Sequence, residues 1–576
     1  MILQALTQYY EDLLAQGKIA RPGWAVAKVS WALELGEDGS LLGLFHLQKE
    51  VPRGKKTALV PQELLVPQPV KRSSGVAANF LCDTSSYLLG ADSKGKPDRA
   101  AECFAAAAAL HRQRLDGAQS AAARAILAFF DRWDPVVAPE HPALQQDWPE
   151  ICKGGNLIFW YKGHPVAEEP EIQQRWQQAQ SQAPADTPEG LCLVTGSHVP
   201  LARLHPNIKG VAGAQSSGAA LVSFNASAFC SYGHEQGTNA PTGEYAAFAY
   251  TTALNQLLSD REHVRRVGDT TLVCWAAGGQ SAYQDFLMDA FYDDAPSEQD
   301  IRNTLFRLAE GLPVDWQDQR LDPDTRFYIL GLAPNAARLS VRFFWQNSFG
   351  TLARNITRHY ERLEIVRPAY DNFPTLPLWR LVRETVNLNA RSPEPSPRLA
   401  GDLLLAVLND APYPATLLDG VTLRIRADKQ ITRGRAAILK AWYLRNSQDE
   451  QLKEVMTVEL NEQSNYLPYV LGRLFSVLEG VQQCANPNIN TTIKDRYFNS
   501  ASATPATVFP LLLNLAQKHL AKLDGGLATD YNKRITELNA RITQTLPARL
   551  TLPEQSAFQI GYYHETQKRY TKKEEQ

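Results

Sequence analysis

Between Gly190 and His234 the chain runs for about 45 residues without an Asp or Glu, although it carries 61 acids in 576 residues. Inside that tract stand Arg203, Lys209, His198, His205 and His234. It also holds a Gly/Ser-rich run, Lys209-Gly-Val-Ala-Gly-Ala-Gln215-Ser216-Ser217-Gly-Ala-Ala-Leu-Val-Ser-Phe-Asn225. Backbone amides in such a turn, side-chain amides, hydroxyls and a few cations suit phosphates and base edges. A second acid-free stretch, Arg326 to Tyr360, carries five arginines and His359. These basic zones lie within a formal net charge of −2, which points to nucleic acid gripped along selected surfaces.

Three further groups of cations suit the same partner. From Lys49 to Arg72, six cations and four prolines face two carboxylates. This stiff, extended segment supplies Lys55, Lys56, Lys71, Arg72, Ser73 and Ser74, with Asn79 just beyond it. In Arg338-Leu-Ser-Val-Arg-Phe-Phe, a strand period of two puts Leu339, Val341 and Phe343 on one face and Arg338, Ser340 and Arg342 on the other. Between Gly420 and Gln448, Arg424, Arg426, Lys429, Arg433, Arg435, Lys440 and Arg445 face only Asp428, a one-sided strip suited to a nucleic-acid backbone.

Catalytic patterns are not found. There is no His-Glu-x-x-His, and Gly210 to Gly218 lacks the Gly-Lys-Ser/Thr ending of a phosphate loop. Gln215-Ser216-Ser217-Gly-Ala is not a Gly-x-Ser-x-Gly elbow. Cys230 near His234 suits packing better than thiol chemistry. The expectation is a binding protein with no catalytic residues, no metal and no cofactor. The competing class is a metal-dependent nucleic-acid hydrolase using Asp285, Asp289, Asp293 and Asp294; a free-standing single-strand-binding protein is another. Seven scattered cysteines without Cys-x2-Cys suggest a reducing compartment. No apolar run reaches the ~18–20 residues of a membrane span. The start, Met-Ile-Leu-Gln-Ala-Leu, lacks the basic region of a signal peptide, so the expected address is cytoplasm.

The elements that must position these residues read as α+β. A helix over residues 2–16 precedes a hairpin from Trp24-Ala-Val-Ala to Leu41-Leu-Gly-Leu-Phe-His. Ala101–Leu115 and Ala118–Trp133 are alanine-rich helices. The polar, Gln- and Pro-rich residues 168–189 read as a surface linker or insertion. The acid-free tract alternates strands and turns, passing through Ser231-Tyr-Gly-His-Glu-Gln236-Gly-Thr-Asn239-Ala-Pro into a helix over Glu244–Leu258. Strands follow at Thr270–Trp275, Tyr328–Leu332 and Arg338–Phe344. From about Ser392 the apolar spacing is helical, and short loops there imply antiparallel neighbours in a bundle. The division expected is 1–100, 101–391 and 392–576, mixed α/β in the first two and all-α in the third.

The string Lys209 to Gly233, with the following Glu-Gln-Gly-Thr-Asn-Ala-Pro and Tyr250-Thr-Thr-Ala-Leu-Asn255, resembles the large subunit of type I-C CRISPR Cascade complexes. The resemblance extends through Asn79-Phe-Leu-Cys-Asp-Thr-Ser-Ser-Tyr-Leu-Leu-Gly90, Leu332-Ala-Pro-Asn-Ala-Ala-Arg-Leu-Ser-Val-Arg-Phe, Thr492-Ile-Lys-Asp-Arg-Tyr-Phe and Ala503-Thr-Pro-Ala-Thr-Val-Phe-Pro. It implies a subunit without chemistry of its own in a crRNA-guided complex. Such a subunit reads the protospacer-adjacent motif (PAM) on double-stranded DNA, helps open the duplex and form the R-loop, and stabilises the displaced single strand. It helps recruit the helicase–nuclease. Guide pairing supplies the rest of the specificity. The implied partners are crRNA, target DNA, the backbone, handle-binding and small Cascade subunits, and the helicase–nuclease; no membrane is implied.

On this reading residues 1–100 hold the PAM reader: Lys55, Lys56, Lys71, Arg72, Ser73, Ser74 and Asn79. Lys209, Gln215, Ser216, Ser217, Asn225, Gln236 and Asn239 form a second set for groove or guide-handle contacts. Arg338, Arg342, Arg424, Arg426, Lys429, Arg433, Arg435 and Lys440 are assigned to displaced-strand phosphates. The resemblance also implies a small helical subunit from an internal start. Met456 would give one of about 121 residues, 456–576.

Overall fold

The structure, a computed structural model, describes residues 1–53, 56–70, 72, 75–91, 96–180, 187–291, 298–391 and 393–571. The fold is α+β, as expected: mixed helices and strands first, helices alone towards the C-terminal end. Two compact units divide the chain elsewhere than at 100 and 391. One comprises Met1–Asn207 and Val222–Gln256; the other comprises Ile208–Leu221 and Leu257–Gln576. The acid-free tract thus serves both.

The first unit is built on the strand Trp24–Leu35. Its second half pairs antiparallel with Leu41–His46, completing the expected hairpin, and parallel with Asn156–Tyr161. Its first half pairs with Gln62–Pro67. The remaining half of that neighbouring strand, Lys56–Pro61, pairs with Gln48–Arg53. The basic segment is therefore a β-hairpin rather than a single extended stretch. Pairing removes the unsatisfied amides that an extended chain would leave. The helices Pro97–Leu115 and Ala121–Arg132 cover the sheet. Their alanines (Ala107, Ala123 and Ala125 are fully buried) let them approach a core of Phe129, Phe130 and Phe159.

The second unit holds an antiparallel sheet in the order Arg265–Val267, Thr270–Ala276, Arg326–Asn335, Arg338–Ser348. Cys274, Ala276, Phe327, Ile329 and Trp345 share a core with Phe286 and Phe349 of the helices Ala282–Phe291 and Phe349–Leu363. The alternation expected across Arg338–Phe344 is interrupted. Gly331 faces Phe343 and Leu332 faces Val341, leaving Arg342 as the extra residue of a β-bulge. Val341 is 40% exposed whereas Leu339 is 7% exposed, so these two do not share one buried face.

Beyond Leu399 the described chain is helical. The most intimate pair, Leu467–Ala485 and Leu552–Thr571, meets backbone to backbone. A Cβ on Gly472 would lie 1.9 Å from the Phe558 carbonyl oxygen, and one on Gly561 2.2 Å from that of Tyr469. Contacts advance together along both helices, from Tyr469 against Gly561 through Arg473 with Glu565 to Ser476 with Thr566. The two therefore run parallel. Three helices intervene in sequence, so the short-loop argument for antiparallel packing applies only to chain neighbours. No helix among the described residues is long and apolar enough to cross a membrane.

Candidate nucleic-acid interface

The loop after the basic hairpin is organised around Asp83, which is 1% exposed. Its carboxylate accepts from the Arg72 guanidinium through both oxygens and from the backbone N–H of Asn79 and Thr84, each at 2.8 Å. Arg72 also donates to the Ala77 carbonyl at 2.6 Å and lies 4.0 Å over the Tyr87 ring. The Asn79 side chain accepts from the Val70 N–H at 3.0 Å. Behind this brace, Leu81 adopts φ +62 and donates its N–H to His111 Nε2 at 3.0 Å. Burial drives the His111 pKa down to about 4, so the ring is neutral and its Nδ1–H donates to the Ala107 carbonyl. Arg72 and Asn79 thus shape the loop from within. Lys56 lies in the hairpin strand; Lys55, Lys71, Ser73 and Ser74 lie outside the described residues.

Within the tract, the first unit carries an exposed projection from Asn225 to Glu235, interrupted only by half-buried Cys230. Its apex is a tight turn: the His234 N–H donates to the Ser231 carbonyl at 2.9 Å, and Tyr232 and Gly233 take φ +54 and +75. Positive φ at both central positions is a type I′ turn, which favours Asn or Gly. Tyr232 occupies it with its side chain 100% exposed, and Phe229 nearby is 40% exposed. The base of the projection is stapled. Asn239 Oδ1 accepts from the Ser231 N–H, and its amide group donates to the carbonyls of His234 and Gln236. Gln236 accepts from Arg203 at 3.0 Å. Gly237 packs so closely that a Cβ would meet the Ala202 carbonyl oxygen at 2.1 Å. Gln236 and Asn239 build the projection; Asn225 and Tyr232 are what it displays.

The second unit receives residues 208–221. The Ile208–Ala219 bridge closes the base of this loop, and Ala220 bridges to Arg338 beside the sheet. Ala212 N–H donates to Thr271 Oγ1 at 3.0 Å, and Gly218 N–H to the Gln215 carbonyl at 2.9 Å. Gly210, Gly213 and Gly218 take φ of +90, +78 and +92, which accounts for the glycine spacing. Lys209, Gln215, Ser216 and Ser217 are exposed at this raised edge. Arg342 pairs with Asp269.

The Arg424–Arg445 strip is mostly interior fastening rather than an open face. Arg424 and Arg435 both pair with Asp428 at 2.6 Å, and Arg426 donates to Gln555 at 2.8 Å. Lys429 reaches the Asp495 carbonyl, and Arg445 that of Asp410. Arg433 holds the carbonyls of Phe373 and Pro374, and Lys440 those of Glu361 and Arg362. Burial pushes the Lys440 pKa down to about 8. The sequence shows the cations; it does not show which carbonyls and side chains, most of them far along the chain, claim them.

A family model described as CRISPR-associated protein (Cas_Csd1) matches residues 6–570. The chain belongs to this family. No curated protein matches it. The braced loop, the projection and the turn over residues 209–218 all lie within the matched residues.

Among the acids of the competing class, Asp285 accepts from His263 Nε2 at 2.6 Å, and Asp293 and Asp294 lie outside the described residues. No group of three or more His, Cys, Asp or Glu able to hold a metal occurs among the described residues. All seven cysteines are free. Cys192 sits in the turn of the Glu189–Leu191/His198–Pro200 hairpin. Burial works against its ionisation, but hydrogen bonds from Thr195, Gly243 and Val194 lower the thiol pKa overall. Sequence reasoning missed Tyr232. The Tyr-Gly pair inside an acid-free run was a visible turn signal, but its full exposure depends on the tertiary stapling by Asn239 and Arg203.

Proposed function

We propose that this Cas_Csd1 protein is the non-catalytic large subunit of a type I-C Cascade complex. It reads the PAM on duplex DNA, promotes opening and R-loop formation, stabilises the displaced strand and helps recruit the helicase–nuclease. It works bound to crRNA and to backbone, handle-binding and small subunits. The observation that carries this reading is Tyr232. A fully exposed aromatic ring on a left-handed backbone has neither packing nor relaxed geometry to favour it, and such unrelieved features concentrate at functional sites. Placed at a base step, the ring stacks on an unpaired base, an interaction worth ~1–3 kcal/mol. The flanking Asn225, Ser227 and His234 offer polar contacts, and Glu235 is the single acid of the projection.

The remaining roles follow the same chemistry. The Gln215-Ser216-Ser217 turn offers amides and hydroxyls to a groove edge or guide handle. The braced 70–83 loop carries Lys71, Ser73 and Ser74 as PAM contacts. Arg338 and Arg342 suit displaced-strand phosphates. The parallel helix pair and the three helices between it, all within 456–576, fit a separately made small subunit.

The test is duplex opening by the reconstituted guide complex, read by 2-aminopurine fluorescence beside the PAM. Tyr232→Ala is expected to lower the opened fraction about tenfold, and Tyr232→Phe to keep it. Equal opening by wild type and Tyr232→Ala would contradict the assignment.

A further inference from the structure

In the second unit, a cavity of about 270 Å³ opens between the helix Glu298–Ala309, the end of Phe349–Leu363 and the start of Arg433–Asn446. Arg302, Arg367 and Arg433 line it, with Tyr360, Thr375 and Glu364. Arg302 lies 3.6 Å from Glu364 at the rim. Arg367 is exposed, and its neighbour Val366 is pinned through its N–H to Val458 and through its carbonyl to Tyr563.

Arg433 forms the inner wall with a side chain 9% exposed. Its nearest carboxylate, Asp371, is 3.5 Å away and already accepts both guanidinium nitrogens of Arg380, at 3.2 and 3.0 Å. Arg433 is otherwise held by the carbonyls of Phe373 and Pro374. The guanidiniums of Arg302, Arg367 and Arg433 thus line the cavity with a single lining carboxylate, Glu364. Three arginines around one carboxylate leave an excess of positive charge facing the cavity, which favours an anionic ligand.

The geometry points to a nucleotide site: the phosphate sits between Arg302 and Arg367 with Arg433 behind, and the sugar rests toward Leu363 and Ile365. Small-molecule pockets begin near ~300 Å³, so the cavity holds one nucleotide unit and not a folded oligomer. Arginine favours this role because its planar fork matches phosphate oxygens. The inference deepens the displaced-strand reading above by giving it a built phosphate site, yet the two fail separately, because this one is tested without guide, duplex or PAM.

The test uses the full chain and an Arg302→Ala/Arg367→Ala variant, since both side chains are at the surface and the variant should fold; its thermal midpoint is the control. Two probes are titrated, a fluorescent oligo-dT single strand and free 5′-AMP. With a strand-borne phosphate as the ligand, the variant binds oligo-dT about tenfold more weakly, and its slope of log K against log salt falls by about 0.7, as for one lost single-strand phosphate. If the ligand is a free nucleotide, 5′-AMP raises the midpoint of wild type only, and oligo-dT binding is equal in both. Indistinguishable wild type and variant with both probes would overturn the site.

Discussion

Tyr232 separates stability from function at the scale of one residue. Left-handed backbone costs a non-glycine residue roughly 1–2 kcal/mol, and asparagine tolerates it better. Tyr232→Asn is therefore expected to leave the unfolding midpoint unchanged or raised while duplex opening falls; a clear drop in midpoint would show that the ring packs after all. Arg72 behaves oppositely. Arg72→Ala strands the Asp83 carboxylate in the interior, and such loss costs ~3 kcal/mol. Limited proteolysis should then cut the 70–83 loop much faster, and an unchanged rate would contradict the brace. His263 gives a pH signature. Burial alone would lower its pKa, but Asp260 and Asp285, each at 2.6 Å, raise it above the usual 6.5. Its stabilisation is complete below about 6.5 and is lost as pH rises through the folded value. His263→Gln should flatten the fall in thermal midpoint above pH 6.5; an identical pH profile would remove the clamp from the account.

At the scale of elements, much was legible and the failures share a cause. Alanine-rich helices, the Trp24/Leu41 hairpin and the helical C-terminal region follow from local periodicity. The Arg338–Phe344 alternation failed because one extra residue, Arg342, enters the strand, and a bulge leaves no periodic trace. The Arg424–Arg445 strip read as a face for a nucleic-acid backbone because, Asp428 apart, its partners, among them Arg362, Asp410, Asp495 and Gln555, lie tens of residues away along the chain. Non-local pairing is invisible to local pattern. The glycines of the parallel helix pair make a direct test. Gly561→Ala puts a methyl against the Tyr469 carbonyl. Overpacking of this kind costs ~1–3 kcal/mol, so the thermal midpoint should fall, while Gly401→Ala, in a helix with open space around its Cβ, should raise it slightly. Equal midpoints would mean the helices do not touch there.

For the whole molecule, the acid-free tract divides its labour: residues 222–234 display an aromatic projection from one unit, and residues 209–218 raise an amide-rich turn from the other. Local acid-free and basic stretches within a near-neutral chain pointed to nucleic acid, whereas which side chains are displayed emerged only with the tertiary fold. The most direct test of the central claim is a gel-shift titration of the reconstituted guide complex on duplexes carrying a matched or scrambled PAM. Wild type would be compared with Lys71→Ala, which leaves the Arg72–Asp83 brace intact. The account predicts that wild type prefers the matched duplex and that Lys71→Ala loses most of that preference while binding guide normally. A complex whose affinity ignores the PAM with wild-type chain in place would contradict it.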